Sequence, residues 1–114
     1  MTRSLLLMVV VLMLGGCGDS TPLSVENDSG VLLESLVVSG SGFEQRLGDL
    51  AANAVVTTHV KPRGESGVGI SFRARGKTIS LPPSGYFEGG GGYAVAVVVT
   101  PNLTASVDSQ LRSY

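Results

Sequence analysis

Two residue types able to act as nucleophiles or metal ligands occur once each in this sequence, Cys17 and His59. Cys17 follows two small residues, Gly15 and Gly16, behind the unbroken apolar run Leu5–Leu14. It is a thiol nucleophile whose small neighbours let the backbone enter a processing enzyme, and no second cysteine competes for it as a disulfide partner. His59 stands in Ala54–Val60 (AVVTTHV), on the parity of Val55 and Thr57. Zinc usually takes three or four His, Cys or carboxylate ligands, so a lone histidine points to a surface or edge position on a strand. The carboxylates Glu26, Asp28, Glu34, Glu44, Asp49, Glu65, Glu88 and Asp108 are scattered, and none forms the paired set that a glycosidase holds across a cleft. No catalytic residue, metal set or cofactor motif is therefore assigned.

Two further features could meet a partner. Gly89–Gly92, after Glu88 and before Tyr93, is a run of four glycines. A phosphate-cradling loop needs a Lys-Ser/Thr pair and a following helix, whereas here a strand-like segment follows. The run reads as a flexible hairpin loop between Tyr86 and Tyr93, and recognition often falls on such loops. Lys61, Arg63, Arg73, Arg75 and Lys77 form the second feature. If Ala54–Val60 and Val68–Arg75 pair as neighbours, these charges gather on one face, to meet anionic head groups or an acidic protein patch. Alternatively they guard a sheet edge against aggregation. The contact residues expected on these grounds are Tyr86, Glu88, Tyr93, Arg73 and Arg75.

The elements that position these residues begin with the first seventeen, MTRSLLLMVVVLMLGGC. Arg3, the apolar run and the small pair make the three-part build of a secretory signal. Ten apolar residues are too few for a bilayer-spanning helix, which takes about 20. Leu14-Gly15-Gly16-Cys17 resembles the lipobox of bacterial lipoproteins. The resemblance implies diacylglycerol on the Cys17 thiol, cleavage before Cys17 and acylation of the new amine, with palmitate-type chains in the membrane. Gly18 in the second mature position is similar to the enteric pattern for the outer membrane, which implies the periplasmic face of that membrane in a Gram-negative host; Asp19 follows it.

Removing residues 1–16 leaves 98 residues, with seven basic against nine acidic side chains, a formal net charge of −2. A nucleic-acid partner would want a basic stripe, so that class is excluded on charge. Residues 17–22 form the acylated cysteine and a short tether, whose five residues after Cys17 reach about 16 Å at most. Residues 23–108 form one domain and residues 109–114 a polar tail.

Within the domain the pattern is strand, turn, strand. Leu23 and Val25 alternate with polar neighbours before Asn27-Asp28-Ser29-Gly30, a turn sequence. Leu33–Ser39 and Ala54–Val60 are aliphatic and β-branched strands. Phe43–Leu47 is a short segment leading into Gly48–Asn53, which offers at most one helical turn. Val68, Ile70, Phe72 and Ala74 alternate with Gly69, Ser71, Arg73 and Arg75, as in a half-buried strand. Lys77–Leu81 reads as a short strand stopped by Pro82-Pro83, and Tyr93–Thr100 as a central strand buried on both faces. Leu103, Ala105 and Val107 alternate in a last strand.

Seven or eight such strands with regular turns point to an all-β antiparallel sandwich or barrel after a cleaved helical signal segment. Asn27–Gly30, the Gly48-Asp49-Leu50 turn, and Tyr86 through Tyr93 leading into Val95–Val99 resemble the small immunoglobulin-like sandwiches of bacterial envelope proteins. That resemblance implies a fold and no activity. The expected function is a non-enzymatic, membrane-anchored envelope lipoprotein that binds another envelope component or contributes structurally. The alternative is a small-ligand or inhibitor module using the Tyr86–Tyr93 loop.

Overall fold

The computed structural model describes residues 20–111. Residues 1–19, which include the expected signal segment and Cys17, and the last three residues lie outside them. Eight strands run in order: β1 (Thr21–Asn27), β2 (Leu33–Gly40), β3 (Phe43–Leu50), β4 (Val55–Val60), β5 (Glu65–Ala74), β6 (Lys77–Glu88), β7 (Tyr93–Val99) and β8 (Ala105–Leu111). They form two four-stranded sheets, ordered β4-β1-β7-β8 and β3-β2-β5-β6. The expected all-β sandwich is thus present, with eight strands.

Alternation sets the core. Leu23 and Val25 of β1, with Val95, Val97 and Val99 of β7, face Leu36 and Val38 of β2 and Val68, Ile70 and Phe72 of β5, all of them buried. Burying a side chain of this size stabilises the fold by about 1.5–3 kcal/mol, so these inward rows decide which way each strand faces. Adjacent strands are antiparallel except for β1 and β7, which are parallel with Leu23 opposite Val95 and Val25 opposite Val97. This one parallel pair departs from the uniformly antiparallel expectation. It arises because β1 inserts between β4 and β7, and both β1 and β7 start from the same end of the sandwich.

Several local expectations are corrected. β3 is a full strand through Gly48 to Leu50, and Gly48–Asn53 makes no helical turn. Its polar run Glu44-Gln45-Arg46 is tolerated because β3 lies at a sheet edge with those residues exposed. β6 does not stop at Leu81 but continues through Pro82-Pro83 to Glu88. Proline cannot donate to a ladder, but β6 pairs only with β5, and the register shifts between Ile70↔Leu81 and Val68↔Ser84. The prolines fall in that irregularity of an edge strand, where a missing N–H is harmless. β7 is internal to its sheet, yet only its inward face is fully buried. Outward-facing Ala96 is exposed and Val98 half-buried, since among the described residues no layer covers that side. The ordered strands also extend beyond the expected bounds, starting at Thr21 and reaching Leu111.

Asn27 ties the far end of the sandwich together. It is fully buried, and its amide donates to the carbonyls of Val31 (2.7 Å) and Leu50 (3.0 Å). Its Oδ1 accepts from the Ser29 N–H (3.0 Å) and the Ser29 hydroxyl (2.6 Å). Its backbone bonds both ways with the β3–β4 turn, receiving from Asn53 N–H and donating to Ala54 O. One side chain thereby joins the β1–β2 turn to the end of β3.

Candidate functional site

Strand directions sort the chain into two ends. At one end lie the starts of β1, β5 and β7, the finish of β8, and the loops 41–42, 61–64 and 89–92; call it the terminal end. At the far end lie the turns 28–32, 51–54, 75–76 and 100–104.

At the terminal end Tyr86, Glu88 and Tyr93 come together as the sequence suggests. The Tyr86 hydroxyl donates to Glu88 Oε2. The Tyr86 and Tyr93 rings meet edge to face, with centroids 6.3 Å apart and planes at 83°, a favourable quadrupole arrangement. Donation to the Glu88 carboxylate pushes the Tyr86 phenol up to about 12, with lesser contributions from desolvation and the nearby charge of Glu65. Phe87 between them points inward, fully buried, and tilts against Phe43 at 6.1 Å.

The glycine run is not a hairpin loop. β6 and β7 belong to different sheets, so 89–92 carries the chain across from one layer to the other. Its first residue is held: Gly89 N–H donates to Gly64 O at 3.3 Å, and a Cβ at Gly89 would stand 2.6 Å from Pro62 O. The neighbouring loops are stapled as well, since Arg63 N–H donates to Ser41 O and the Ser41 hydroxyl to Arg63 O, both at 2.8 Å. The Ser66 hydroxyl, on a buried residue, accepts from Ser41 N–H at 3.0 Å. The terminal end is therefore a braced surface.

The five cations do not gather. β4 and β5 lie in different sheets, which removes the condition for their clustering. Lys61 and Arg63 stay at the terminal end, while Arg73, Arg75 and Lys77 sit at the other end of β5, about 30 Å away for a ten-residue strand. Arg73 donates to Thr78 Oγ1 (3.2 Å) and Gly76 O (3.4 Å). Arg75 has φ +53° and Gly76 φ +77°, the two left-handed residues of a tight hairpin turn. Arg73 thus braces the β5–β6 turn and Arg75 forms part of it, both apart from the tyrosines. His59 is exposed on the edge strand β4, opposite Pro22.

One feature was not legible in sequence. The outer face of the β4-β1-β7-β8 sheet forms an open concavity of about 370 Å³ lined by Pro22, Thr57, Ala94, Ala96, Asp108 and Gln110. Small outward residues on the two inner strands, flanked by longer ones, hollow the face. Alternation marks these positions as outward, but which strands stand side by side is a tertiary fact.

The fold defines a class, the small two-sheet β-sandwich, and comparison with known proteins adds to that only at the level of architecture. No family model and no curated protein matches the chain. A protein from Eubacterium rectale, solved by NMR, is similar in fold: TM-score 0.53 at 16% identity, covering 82% of this chain and 91% of that one. At that identity the likeness concerns the fold alone.

Proposed function

We propose that this chain is a lipid-anchored envelope protein, acylated on Cys17 after removal of residues 1–16, whose sandwich serves as a non-enzymatic binding or structural module. The observation that carries the reading is the run Leu14-Gly15-Gly16-Cys17 behind ten apolar residues and Arg3. The start of β1 at Thr21 is compatible with it, since only three residues separate the cysteine from the first strand. Two or three acyl chains hold firmly, each buried CH2 contributing about 0.8 kcal/mol. The periplasmic face of the outer membrane is the proposed location, on the strength of Gly18.

The test is expression of the full chain in a Gram-negative host with an alkyne-bearing palmitate. Label on the wild type, none on Cys17→Ser, and a mature mass beginning at Cys17 are expected, with the wild type in the outer-membrane fraction of a density gradient. An unlabelled or water-soluble wild type would sink the reading.

A second reading, a module that holds a small ligand or a protein segment at the 86–93 loop, is favoured by the convergence of Tyr86, Glu88 and Tyr93. Crosslinking in membranes tests it. A partner recovered with the wild type and lost with Tyr86→Ala would support it, and recovery indifferent to that substitution would count against it.

A further inference from the structure

We propose that the sandwich stands end-on against the bilayer, with its terminal end at the level of the lipid head groups. This rests on the anchoring of Cys17 argued above. Four residue steps separate Cys17 from Thr21, a contour of about 14 Å at most, so the start of β1 stays close to the acyl chains. β7 lies parallel to β1 and seven residues long, and carries the chain roughly 20 Å from that level to the far-end turns.

The terminal end has a surface suited to this position. Tyr86 is 46% exposed and Leu111 67% exposed. Tyr93 joins them, touching the Tyr86 ring and lying directly opposite Leu111 in the β7–β8 register. An aromatic ring with a polar tip is at home at a membrane–water interface, and here two tyrosines and a leucine form one continuous patch.

The flat alternatives are less suited. The outer face of the β4-β1-β7-β8 sheet exposes Glu26, His59, Asp108 and Gln110, and that of the other sheet exposes Glu34 and Arg73. Charge does not select an anionic lipid, because Lys61 and Arg63 at the terminal end are offset by Glu44, Glu65 and Glu88. The occupant is the head-group layer of an ordinary zwitterionic bilayer.

The experiment uses acylated protein purified from membranes and reconstituted in phosphatidylcholine vesicles. Because Cys17 is the only native cysteine and its thiol is blocked by lipid, Lys61→Cys and Asn102→Cys each accept a single fluorophore, one at each end. A nitroxide on the lipid head group is expected to quench the label at 61 about threefold more than the label at 102, the two being roughly one strand length apart. The Tyr86→Ser, Leu111→Ser double variant should still sediment with vesicles but lose most of that contrast.

Equal quenching at both positions, stronger quenching at 102, or a contrast unmoved in the double variant would overturn the end-on arrangement while leaving the anchor intact. Wild-type protein that fails to sediment with vesicles would instead refute the anchor, and the arrangement with it.

Discussion

Asn27 has no solvent exposure, yet both ends of its side-chain amide are used. Replacing it by alanine takes its partner from the Leu50 carbonyl and the Ser29 N–H, while the Ser29 hydroxyl can still donate to Val31 O (3.2 Å), and an unsatisfied buried polar group costs about 1–3 kcal/mol. Asn27→Ala should therefore lower stability by about 3 kcal/mol, seen as a drop in the urea midpoint with little change in slope. Asn27→Asp should cost more at neutral pH, because a carboxylate would face two carbonyl oxygens. In the sequence Asn27 reads as an ordinary turn residue; its burial depends on Leu50, 23 positions away, and no local pattern carries that. Tyr86 offers a second residue-scale prediction. Its phenol holds its proton to about 12 in the folded chain against 10.0 ordinarily, chiefly through its bond to Glu88. The unfolded chain releases that proton first, so stability should fall as pH rises from 10 towards 12. Phenolate absorbance should show a late-titrating component that disappears in Tyr86→Phe and moves back towards 10 in Glu88→Gln. A late component that persists in Tyr86→Phe would assign it to another tyrosine.

At the scale of elements, β6 and β8 are the edges of the two sheets on one side of the sandwich, and Gly85 of β6 lies against Val107 of β8. It has φ +77°, and a Cβ there would stand 2.5 Å from Val107 Cγ1. Gly85→Ala combines a left-handed backbone with an overpacked contact, and should cost about 2–4 kcal/mol in thermal or urea unfolding. The β5–β6 hairpin gives the opposite sign. Arg75 occupies a left-handed position before Gly76, so Arg75→Asn creates the Asn-Gly pair favoured in such turns and should stabilise by about 0.5–1 kcal/mol. A loss of stability there would show that the Arg75 side chain does more than fill the turn. These elements also show what a sequence displays and what it hides. β5 was legible because Val68, Ile70, Phe72 and Ala74 alternate cleanly and all are buried. The second half of β6 was not, because prolines read as a stop and only its edge position makes them acceptable. β3 was obscured by its polar Glu44-Gln45-Arg46. The cationic cluster failed for a different reason: consecutive strands β4 and β5 look like a hairpin in sequence, and sheet membership leaves no local mark.

The whole molecule has its described ends side by side. β1 and β8 flank β7 in one sheet, with Leu23 opposite Val95 and Leu111 opposite Tyr93, so the start of β1 and the finish of β8 sit one strand apart, roughly 10 Å. A domain whose ends meet in this way should tolerate being cut elsewhere and joined there. The Pro101-Asn102 turn is suitable for the cut, because it links β7 to β8 at the far end and both residues are exposed. A permuted chain beginning at Asn102, with β8 joined through about five Gly and Ser residues to Thr21, keeps every strand pairing of both sheets; a linker of that length spans the gap with slack. It should unfold in one cooperative transition, with stability within about 1–2 kcal/mol of the natural order, since only loop-closure terms change. Removing β1 is the contrasting case. β1 is the strand that connects β4 to β7, and its Leu23 and Val25 are fully buried, so a chain starting at Asp28 should lose near-ultraviolet circular dichroism and cooperative unfolding together. If the permutant failed to fold while the truncated chain remained cooperative, β1 would have to be a peripheral strand, and the parallel pairing with β7 on which the shared terminal end depends would be wrong.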